Sequence, residues 1–298
     1  MLKNYRFVTL DAFTTTPFCG NPCAVLPEAD GLTGEQMQQI ARETNMPETA
    51  FVTRSEKANY RVRYFTPRSE VSFAGHPTIA TSFLLAQEKM IPLDGSSVTT
   101  RLEFNIGILP VEIRLENGQP VESIMTQALP TYGATLSTAE TAPCFGLVES
   151  DLRDDCPIQV VNTGAAFLIV AARSVDVLGK VVMDRPRLAH LLDRIGVSAA
   201  FMFSIGGFDP LADTHARMFD PRNAGEDPYT GSAAGCMGAF LVHYGLITGP
   251  KIIAEQGHFV HRPGVGVLDI RSENGAITSV RLAGSAVKTM EGRIFVQE

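Results

Sequence analysis

The sequence predicts an α+β protein built from two homologous domains, each with a curved sheet around one buried helix. Similar segments recur roughly 150 residues apart along the chain. Several segments alternate apolar and polar residues, as half-buried strands do. One helical segment in each half is apolar or small on nearly every face, and such helices lie in a protein interior.

The internal repeat is clearest where a short turn segment precedes a glycine in each half of the chain. Phe65-Thr66-Pro67-Arg68 is followed by Gly75-His76, and Phe219-Asp220-Pro221-Arg222 is followed by Gly231-Ser232. The offset between the copies is 154 residues (219 − 65 = 154). Because long-range repetition is typical of duplicated structural units, we expect two homologous domains that meet at a cleft.

Alternating segments predict strands and hairpins in both halves. Tyr60, Val62 and Tyr64 alternate with arginines, which is the pattern of a half-buried strand. Asn117-Gly118 and Asn274-Gly275 each follow an alternating run, at an offset of 157 residues (274 − 117 = 157). Asn-Gly in this context is a strong hairpin signal.

The repeat also gives the domain bounds. A chain of 298 residues exceeds the usual size of a single hydrophobic core. We expect residues 1–125 to form the first domain and residues 126–283 the second. Two strand patterns follow the complete second repeat, so residues 284–298 are expected to return to the first domain as a C-terminal strand.

The first repeat contains one predicted surface helix. Thr33 and Gln36 form a capping box, and an apolar stripe follows, which predicts a helix from Thr33 to about Thr44. Pro47 discourages continuation of that helix, and the chain resumes as a strand. Glu48 is therefore expected on the connection between the helix and the strand.

Two other helices are predicted to be buried on all sides, from Pro77 to Leu85 and from Ala233 to Val242. Pro77 suits a first helical position, and Ser232 suits an N-cap. A helix N-terminus presents unpaired backbone N–H groups and a positive dipole end, so it binds carboxylates and other anions.

Residues at the two helix starts are accordingly candidate binding groups. Gly75 and Gly231 allow the backbone to approach a ligand closely, while His76 and Ser232 add side-chain donors. The alternative is that both motifs are only well-formed helix starts. Duplication does not decide between these interpretations, because it repeats structural caps as well as binding loops.

Two acidic residues are candidates for proton transfer. Glu48 has no acidic counterpart near Ser198 in the second repeat, so the duplicated scaffold carries an asymmetric carboxylate. Asp227 lies just before the start of the second buried helix. The alternative for each is a solvated loop acid, since acids are common in turns.

Composition favours a small molecule as the binding partner. The formal net charge is −7, and lysines and arginines are scattered, which disfavours nucleic acid and anionic membrane surfaces. The longest apolar run, residues 165–172, is too short to span a bilayer. Without a signal peptide pattern at the N-terminus, a cytoplasmic location is expected.

Cysteines and histidines give no sign of a disulfide framework or a metal site. The five cysteines are an odd number and include no C-x-x-C pair. Four histidines lack recognisable ligand spacing: His215, His243, His258 and His261. We interpret His258 and His261 as polar residues of a loop or as residues that contact the substrate. No Walker or dinucleotide-binding motif is present.

Over nearly its whole length the chain resembles the phenazine-biosynthesis-like isomerase and epimerase family. Any one of the shared motifs is weak, but together they are highly specific. They are Asp11-Ala12-Phe13, Gly20-Asn21-Pro22, Glu48-Thr49-Ala50-Phe51, Arg63-Tyr64-Phe65-Thr66-Pro67, Phe73-Ala74-Gly75-His76-Pro77-Thr78, Gly225-Glu226-Asp227-Pro228 and Thr230-Gly231-Ser232-Ala233.

This resemblance implies the diaminopimelate-epimerase-like fold, with two pseudo-symmetric domains, each a curved, mostly antiparallel sheet wrapped around a central helix. It also implies residue roles. Glu48 matches the family's general acid/base, and His76 and Asp227 match flanking polar residues of the site. The substrate-binding loops are matched by Gly75, Gly231 and Ser232. No metal or organic cofactor is implied.

The wider superfamily includes epimerases that use two cysteines, each directly before the glycine of a helix-start loop. Ala74 and Thr230 occupy those positions here, and neither can act as a thiolate base. Tyr229 is bulkier than expected at its position and is predicted to restrict the pocket.

The leading functional hypothesis is an isomerase in which Glu48 moves a proton on a small carboxylate-bearing substrate. One alternative is a two-base epimerase with Asp227 as the second base. Another is a catalytically silent protein that binds small acids. A homodimer is compatible with each of these three hypotheses.

Overall fold

The chain forms helices together with sheets in which antiparallel and parallel strand pairs are mixed, which confirms the α+β class. The computed structural model describes residues 2–223 and 225–297. The first elements are β1 (Leu2–Ala12), β2 (Asn21–Leu26), α1 (Gly34–Thr44), β3 (Glu48–Thr53), β4 (Tyr60–Phe65), β5 (Glu70–Val71), α2 (Gly75–Gln87), β6 (Ser97–Phe104), β7 (Gly107–Glu116) and β8 (Gln119–Gln127).

The remaining elements are β9 (Thr131–Leu136), α3 (Thr138–Thr141), β10 (Ile158–Asn162), β11 (Ala166–Ala171), α4 (Val175–Lys180), α5 (Arg185–Ile195), β12 (Ala200–Ile205), β13 (Thr214–Phe219), α6 (Gly231–His243), β14 (Lys251–Gln256), β15 (Gly264–Glu273), β16 (Ala276–Gly284) and β17 (Ala286–Gln297). Short 3₁₀ turns span Ala142–Phe145, Glu149–Asp151 and His258–Val260. Among the described residues, no helix is long and apolar enough to cross a membrane.

The chain divides into two units. The first comprises Met1–Met125 and Ala283–Glu298, and the second comprises Thr126–Leu282. β17 lies in the first unit, where it pairs antiparallel with β1 along almost its entire length.

A mixed sheet forms most of the first unit. β1–β2, β3–β4 and β6–β7 are antiparallel pairs, whereas β2–β3 and β4–β6 are parallel. α2 contacts β1, β2, β3, β7 and β17, and every residue from His76 to Ala86 is buried. The predicted fully buried helix is therefore confirmed. α1 instead covers a second apolar cluster that includes Met37, Ile40 and Phe51.

The second unit contains its own mixed sheet. β10–β11, β12–β13 and β14–β15 are antiparallel pairs, whereas β11–β12 and β13–β14 are parallel. α6 contacts β10, β11, β12 and β15, and ten of its residues are buried. The second predicted buried helix is thus also confirmed.

The capping box of α1 forms as predicted. The Gln36 N–H donates to the Thr33 hydroxyl at 3.2 Å, and the Thr33 N–H donates to the Gln36 side chain at 2.9 Å. Asn45 closes the helix in the left-handed region, with φ of 50°. Glu48 is not on the connection that follows, as predicted, but is the first residue of β3. Parallel pairing with β2, in the register Cys23 to Glu48, extends the strand to that point.

The starts of the two buried helices were each predicted too late. α2 begins at Gly75, so Pro77 is its third residue, not its first. A proline is tolerated there because the first-turn N–H groups have no partner within the helix. α6 begins at Gly231, which makes Ser232 its second residue and puts Thr230, not Ser232, at the N-cap.

The two Asn-Gly turns adopt the predicted backbone. Asn117 and Gly118 have φ of 52° and 71°, and Asn274 and Gly275 have φ of 52° and 79°. Two consecutive residues at positive φ are typical of the type I′ hairpin turn.

Candidate functional site

In the first unit, Glu48 starts β3 with its carboxylate partly sheltered from solvent. Its side chain is 21% exposed. The hydroxyl groups of Thr44 and Thr49 lie 2.9 Å apart and join the end of α1 to β3 on either side of Glu48. The short connection is thereby held at both ends, which restricts the position of the carboxylate.

His76, the second residue of α2, lies beside that carboxylate. Its Nε2 atom is 3.4 Å from Glu48 Oε2, and its side chain is only 8% exposed. On the other side of the ring, Nδ1 is 3.1 Å from Asn21 Nδ2. β2 carries Asn21 at its first position, so β2, β3 and α2 together position the three side chains.

Burial determines the protonation state of His76. It lowers the pKa of the imidazole to about 3, and a hydrogen bond with the Pro22 backbone opposes this shift only in part. The ring is therefore neutral near pH 7, and the contact with Glu48 is not an ion pair. A neutral imidazole has one N–H and one lone pair. One tautomer can donate to a Glu48 carboxylate, and the other can accept from its protonated form.

The N-terminus of α2 lies next to this pair. Gly75 is the first helical residue, and Ala74 at the N-cap has no side-chain hydrogen bond to the first turn. Backbone N–H groups at such a start attract negative charge. Glu48, Gly75 and His76 thus lie together in the first unit, where a carboxylate, a neutral imidazole and a helix N-terminus can bind an anion and exchange a proton.

In the second unit, Asp227 is held by a network at the start of α6. Its Oδ2 atom accepts a hydrogen bond from the Thr230 hydroxyl at 2.5 Å. The Gln256 amide donates to the Asp227 carbonyl oxygen at 2.7 Å and accepts from the Thr230 N–H at 2.9 Å. Asp227 is accordingly not a freely solvated turn acid.

Gln256, which was not singled out in the sequence, holds the loop that carries Asp227. It is the last residue of β14 and is 1% exposed. Its sequence neighbourhood has no motif, and a glutamine at a strand end is not distinctive. Only the fold, which brings residue 256 beside residues 227 and 230, identifies it.

Gly231 and Ser232 lie with Asp227 at this helix start. The Gly231 carbonyl oxygen accepts from Gln127 Nε2 at 2.9 Å, and Ser232 remains partly exposed. Thr230 does not cap the helix with its side chain, because its hydroxyl is directed to Asp227.

The prediction that Tyr229 restricts a pocket is not supported. Tyr229 is 1% exposed and donates to the Ala254 carbonyl oxygen at 3.2 Å. Its ring packs against Gly266, where a Cβ atom would collide with the phenol oxygen. Tyr229 is therefore an interior residue of the second unit.

All five cysteines are free thiols. Cys23 is fully buried, and its pKa is raised well above the ordinary value, first by burial and then by the Glu48 charge. Burial also raises the pKa of Cys236 to about 11. Both groups are thiols at neutral pH, so neither is a ready thiolate base.

Two curated proteins that are similar to this chain over nearly its whole length are named isomerases. An uncharacterized isomerase of Clostridium acetobutylicum is 34% identical over 99% of this chain and 100% of its own length. The trans-2,3-dihydro-3-hydroxyanthranilate isomerase of Pseudomonas aeruginosa is 32% identical over 98% of this chain and 100% of its own length.

A solved structure extends the similarity to the fold. The PhzF-family phenazine biosynthesis protein of Bacillus anthracis superposes with a TM-score of 0.89 at 30% identity, covering 99% of this chain and 100% of that chain. The family model described as phenazine biosynthesis-like protein matches residues 10–292. The chain therefore belongs to the phenazine biosynthesis-like protein family and is an isomerase.

Proposed function

We propose that the chain is a cofactor-independent isomerase in which Glu48 moves a proton between two positions of a small, carboxylate-bearing substrate. The contact of 3.4 Å between Glu48 Oε2 and Nε2 of the neutral His76 carries this proposal. The name of the P. aeruginosa relative, a dihydro-hydroxyanthranilate isomerase, supports a cyclic, unsaturated carboxylate as the substrate class.

Proton transfer by one carboxylate is balanced without an oxidant or reductant. Glu48 removes a proton from a substrate carbon, and the electron pair of the broken C–H bond forms a new double bond to the next carbon. The π pair of the existing double bond moves at the same time to its far carbon. The carboxylic acid then returns the proton to the far end of that system. Asn21 Nδ2 is a donor, so His76 Nδ1 accepts its hydrogen bond and the ring N–H lies on Nε2, where it can donate to the Glu48 carboxylate.

Asp227, Gly231 and Ser232 of the second unit are also proposed to contact the substrate. Asp227 acts as a flanking polar group whose position the Thr230 and Gln256 hydrogen bonds fix. The α6 start, at Gly231 and Ser232, and the α2 start, at Gly75, bind substrate oxygen atoms through backbone N–H groups.

The two units are proposed to be duplicated halves of the diaminopimelate-epimerase-like fold. Along β1-β2-β3-β4-β6-β7 the pairing is antiparallel, parallel, antiparallel, parallel and antiparallel. The same order recurs along β10-β11-β12-β13-β14-β15. A buried 13-residue helix that begins at glycine precedes the last parallel strand of each series, as α2 does β6 and α6 does β14.

A two-base epimerase is the second candidate, because Asp227 is a second carboxylate held in a fixed geometry. In that mechanism, one base removes the proton and another delivers a solvent-derived proton to the opposite face. Dependence of turnover on both Glu48 and Asp227, with full incorporation of solvent hydrogen, would favour it.

Replacement of Glu48 by glutamine tests the proposal. The amide is nearly isosteric but cannot accept a proton from carbon, so we expect turnover to fall by about 10²-fold or more. The probe is trans-2,3-dihydro-3-hydroxyanthranilate, followed by other cyclic carboxylates screened for deuterium uptake from heavy water. Glu43→Gln, at an exposed position of α1, is the matched control. Wild-type turnover in a folded Glu48→Gln protein would refute the role of Glu48.

A further inference from the structure

A cluster of two histidines and a glutamate lies in the second unit, apart from the residues assigned above. His215 on β13 and Glu255 on β14 are direct neighbours in the parallel pairing of these strands. His258 follows in the 3₁₀ turn after β14. One potential ligand atom from each side chain lies within 4.8 Å of the other two, and His215 Nε2 is 3.2 Å from His258 Nδ1.

The carboxylate of this cluster is held in place by backbone donors. Glu255 Oε2 accepts from the Phe208 N–H at 2.7 Å, and Oε1 accepts from the Asp209 N–H at 3.1 Å. Gly207 allows this approach, since a Cβ atom there would collide with Glu255 Oε2. Each carboxylate oxygen retains a lone pair for a further ligand.

Both imidazole rings are fixed by aromatic neighbours. Phe208 stacks on His258 with ring centroids 4.5 Å apart, and Phe259 meets His215 edge-on at 5.3 Å. His215 is completely buried, and His258 is partly buried. An imidazole ring binds a metal ion through the lone pair of one ring nitrogen.

We propose that His215, Glu255 and His258 bind a divalent transition-metal ion of the zinc type. Two imidazole nitrogens and a carboxylate are a common donor set for zinc. With zinc–nitrogen bonds of about 2.0–2.1 Å at a tetrahedral angle, two ligand nitrogens lie roughly 3.4 Å apart. The observed 3.2 Å is close to this separation. The partly exposed side of His258 leaves access for the ion and for a water molecule as fourth ligand.

The positions of the protons on the two imidazole rings determine the metal affinity that we expect. In the metal-free protein, one ring donates an N–H to the other across the 3.2 Å contact. Metal binding through His215 Nε2 requires the His215 proton to be on Nδ1, which is buried without a hydrogen-bond partner among the described residues. Loss of such outer partners typically weakens metal affinity by about 10–100-fold. We therefore expect micromolar rather than nanomolar affinity.

The site links the strand end that carries Gln256 to the loop at Phe208. Glu255 and Gln256 are consecutive on β14, and their side chains point to opposite faces. Glu255 holds the Phe208 loop, whereas Gln256 holds the Asp227 loop. A bound ion would brace this strand end without taking part in proton transfer, so the inference does not depend on the proposed catalytic role of Glu48.

The test is Zn²⁺ binding to the full chain after removal of metals with a chelator. Calorimetry and elemental analysis should give one ion per chain, and Co²⁺ in its place should give the visible absorption of a tetrahedral site. Serine in place of Cys19 and Cys156, the two partly exposed thiols, removes competing ligands.

His258→Gln should weaken Zn²⁺ binding by about tenfold or more, and Glu255→Gln should act likewise. His261→Gln, at an exposed position of the same turn, should bind as the parent does. Circular dichroism identifies any variant that fails to fold. Because two ligand variants are compared, the test still works if one of them does not fold. No saturable binding below about 100 μM, or equal binding by the folded ligand variants and the parent, would overturn the proposal.

Discussion

At the residue scale, two neutral buried histidines make the stability depend on pH. The pKa values of His76 and His215 are both lowered to about 3, chiefly by burial, whereas an unfolded histidine titrates near 6.5. Between these values the unfolded chain binds protons that the folded chain does not. Stability is therefore complete above about pH 6.5 and decreases as the pH falls toward 3.

We predict a free energy of unfolding that decreases from pH 7 to pH 5, with up to about 1.4 kcal/mol per pH unit from each of these histidines. Urea unfolding at several pH values measures the slope. His76→Gln should reduce the slope, whatever its effect on stability at pH 7. His190→Gln, at an exposed position of α5, should leave it unchanged. An identical slope in the His76 variant would contradict the assigned pKa shift.

A second prediction at this scale concerns Gln256. Gln256→Met keeps the approximate volume but removes the hydrogen bonds to Asp227 and Thr230. We expect a folded protein that is destabilised by about 1–3 kcal/mol and has lower turnover, because a buried N–H loses its partner and Asp227 loses its support. Urea unfolding and the separate changes in kcat and KM provide the measurement. Gln39→Met, on the exposed face of α1, is the control.

Some of these residues could be identified from the sequence, and others could not. Glu48 and His76 were candidates from the local sequence, the family resemblance implied their roles, and the structure places them in contact. Their proximity could not be derived from local pattern, because they belong to different elements. The cluster of His215, Glu255 and His258 was missed, since 40 residues separate the first two (255 − 215 = 40). Strand pairing, which sequence spacing does not encode, makes them neighbours.

At the element scale, the helices were the most predictable features. The capping box of α1 and the uniformly apolar faces of α2 and α6 follow from local chemistry. Their exact starts did not, because Gly75 and Gly231 are helical despite the low helix propensity of glycine. At Gly235, further along α6, the Gln127 amide occupies the space that a Cβ would fill.

Gly235→Ala should therefore destabilise the protein by about 1–3 kcal/mol, although alanine is the better helix former. Gln127 is fixed by hydrogen bonds with Gly231 and Thr163, so it cannot yield easily. In a Gln127→Ala background, the same substitution should be nearly neutral or stabilising. Urea unfolding of the four proteins in this cycle gives the coupling energy. If the effects of the two substitutions on the free energy of unfolding were additive, the contact between Gln127 and residue 235 would not be the cause of the destabilisation.

At the scale of the whole molecule, a repeat could be detected in the sequence, but the pairing order of the strands could not be predicted. The repeated turns and hairpins predicted two homologous halves. The two parallel pairs in each unit, β2–β3 with β4–β6 and β11–β12 with β13–β14, depend on crossovers that no local pattern specifies. The two units differ in the side chain at the start of the third strand of each series. The first unit has Glu48 at this position, and the second unit has Ala200.

That asymmetry leads to the central claim, that a single carboxylate at position 48 moves the proton. The most direct measurement is the isotope content of product formed from substrate deuterated at its labile carbon, by mass spectrometry at low conversion. The account predicts that part of the label returns to the product within the same molecule, that turnover is lost in Glu48→Gln, and that exposed Glu43→Gln behaves as wild type. Complete washout of the label, with equal loss of turnover in Glu48→Gln and Asp227→Asn, would contradict the single-carboxylate mechanism.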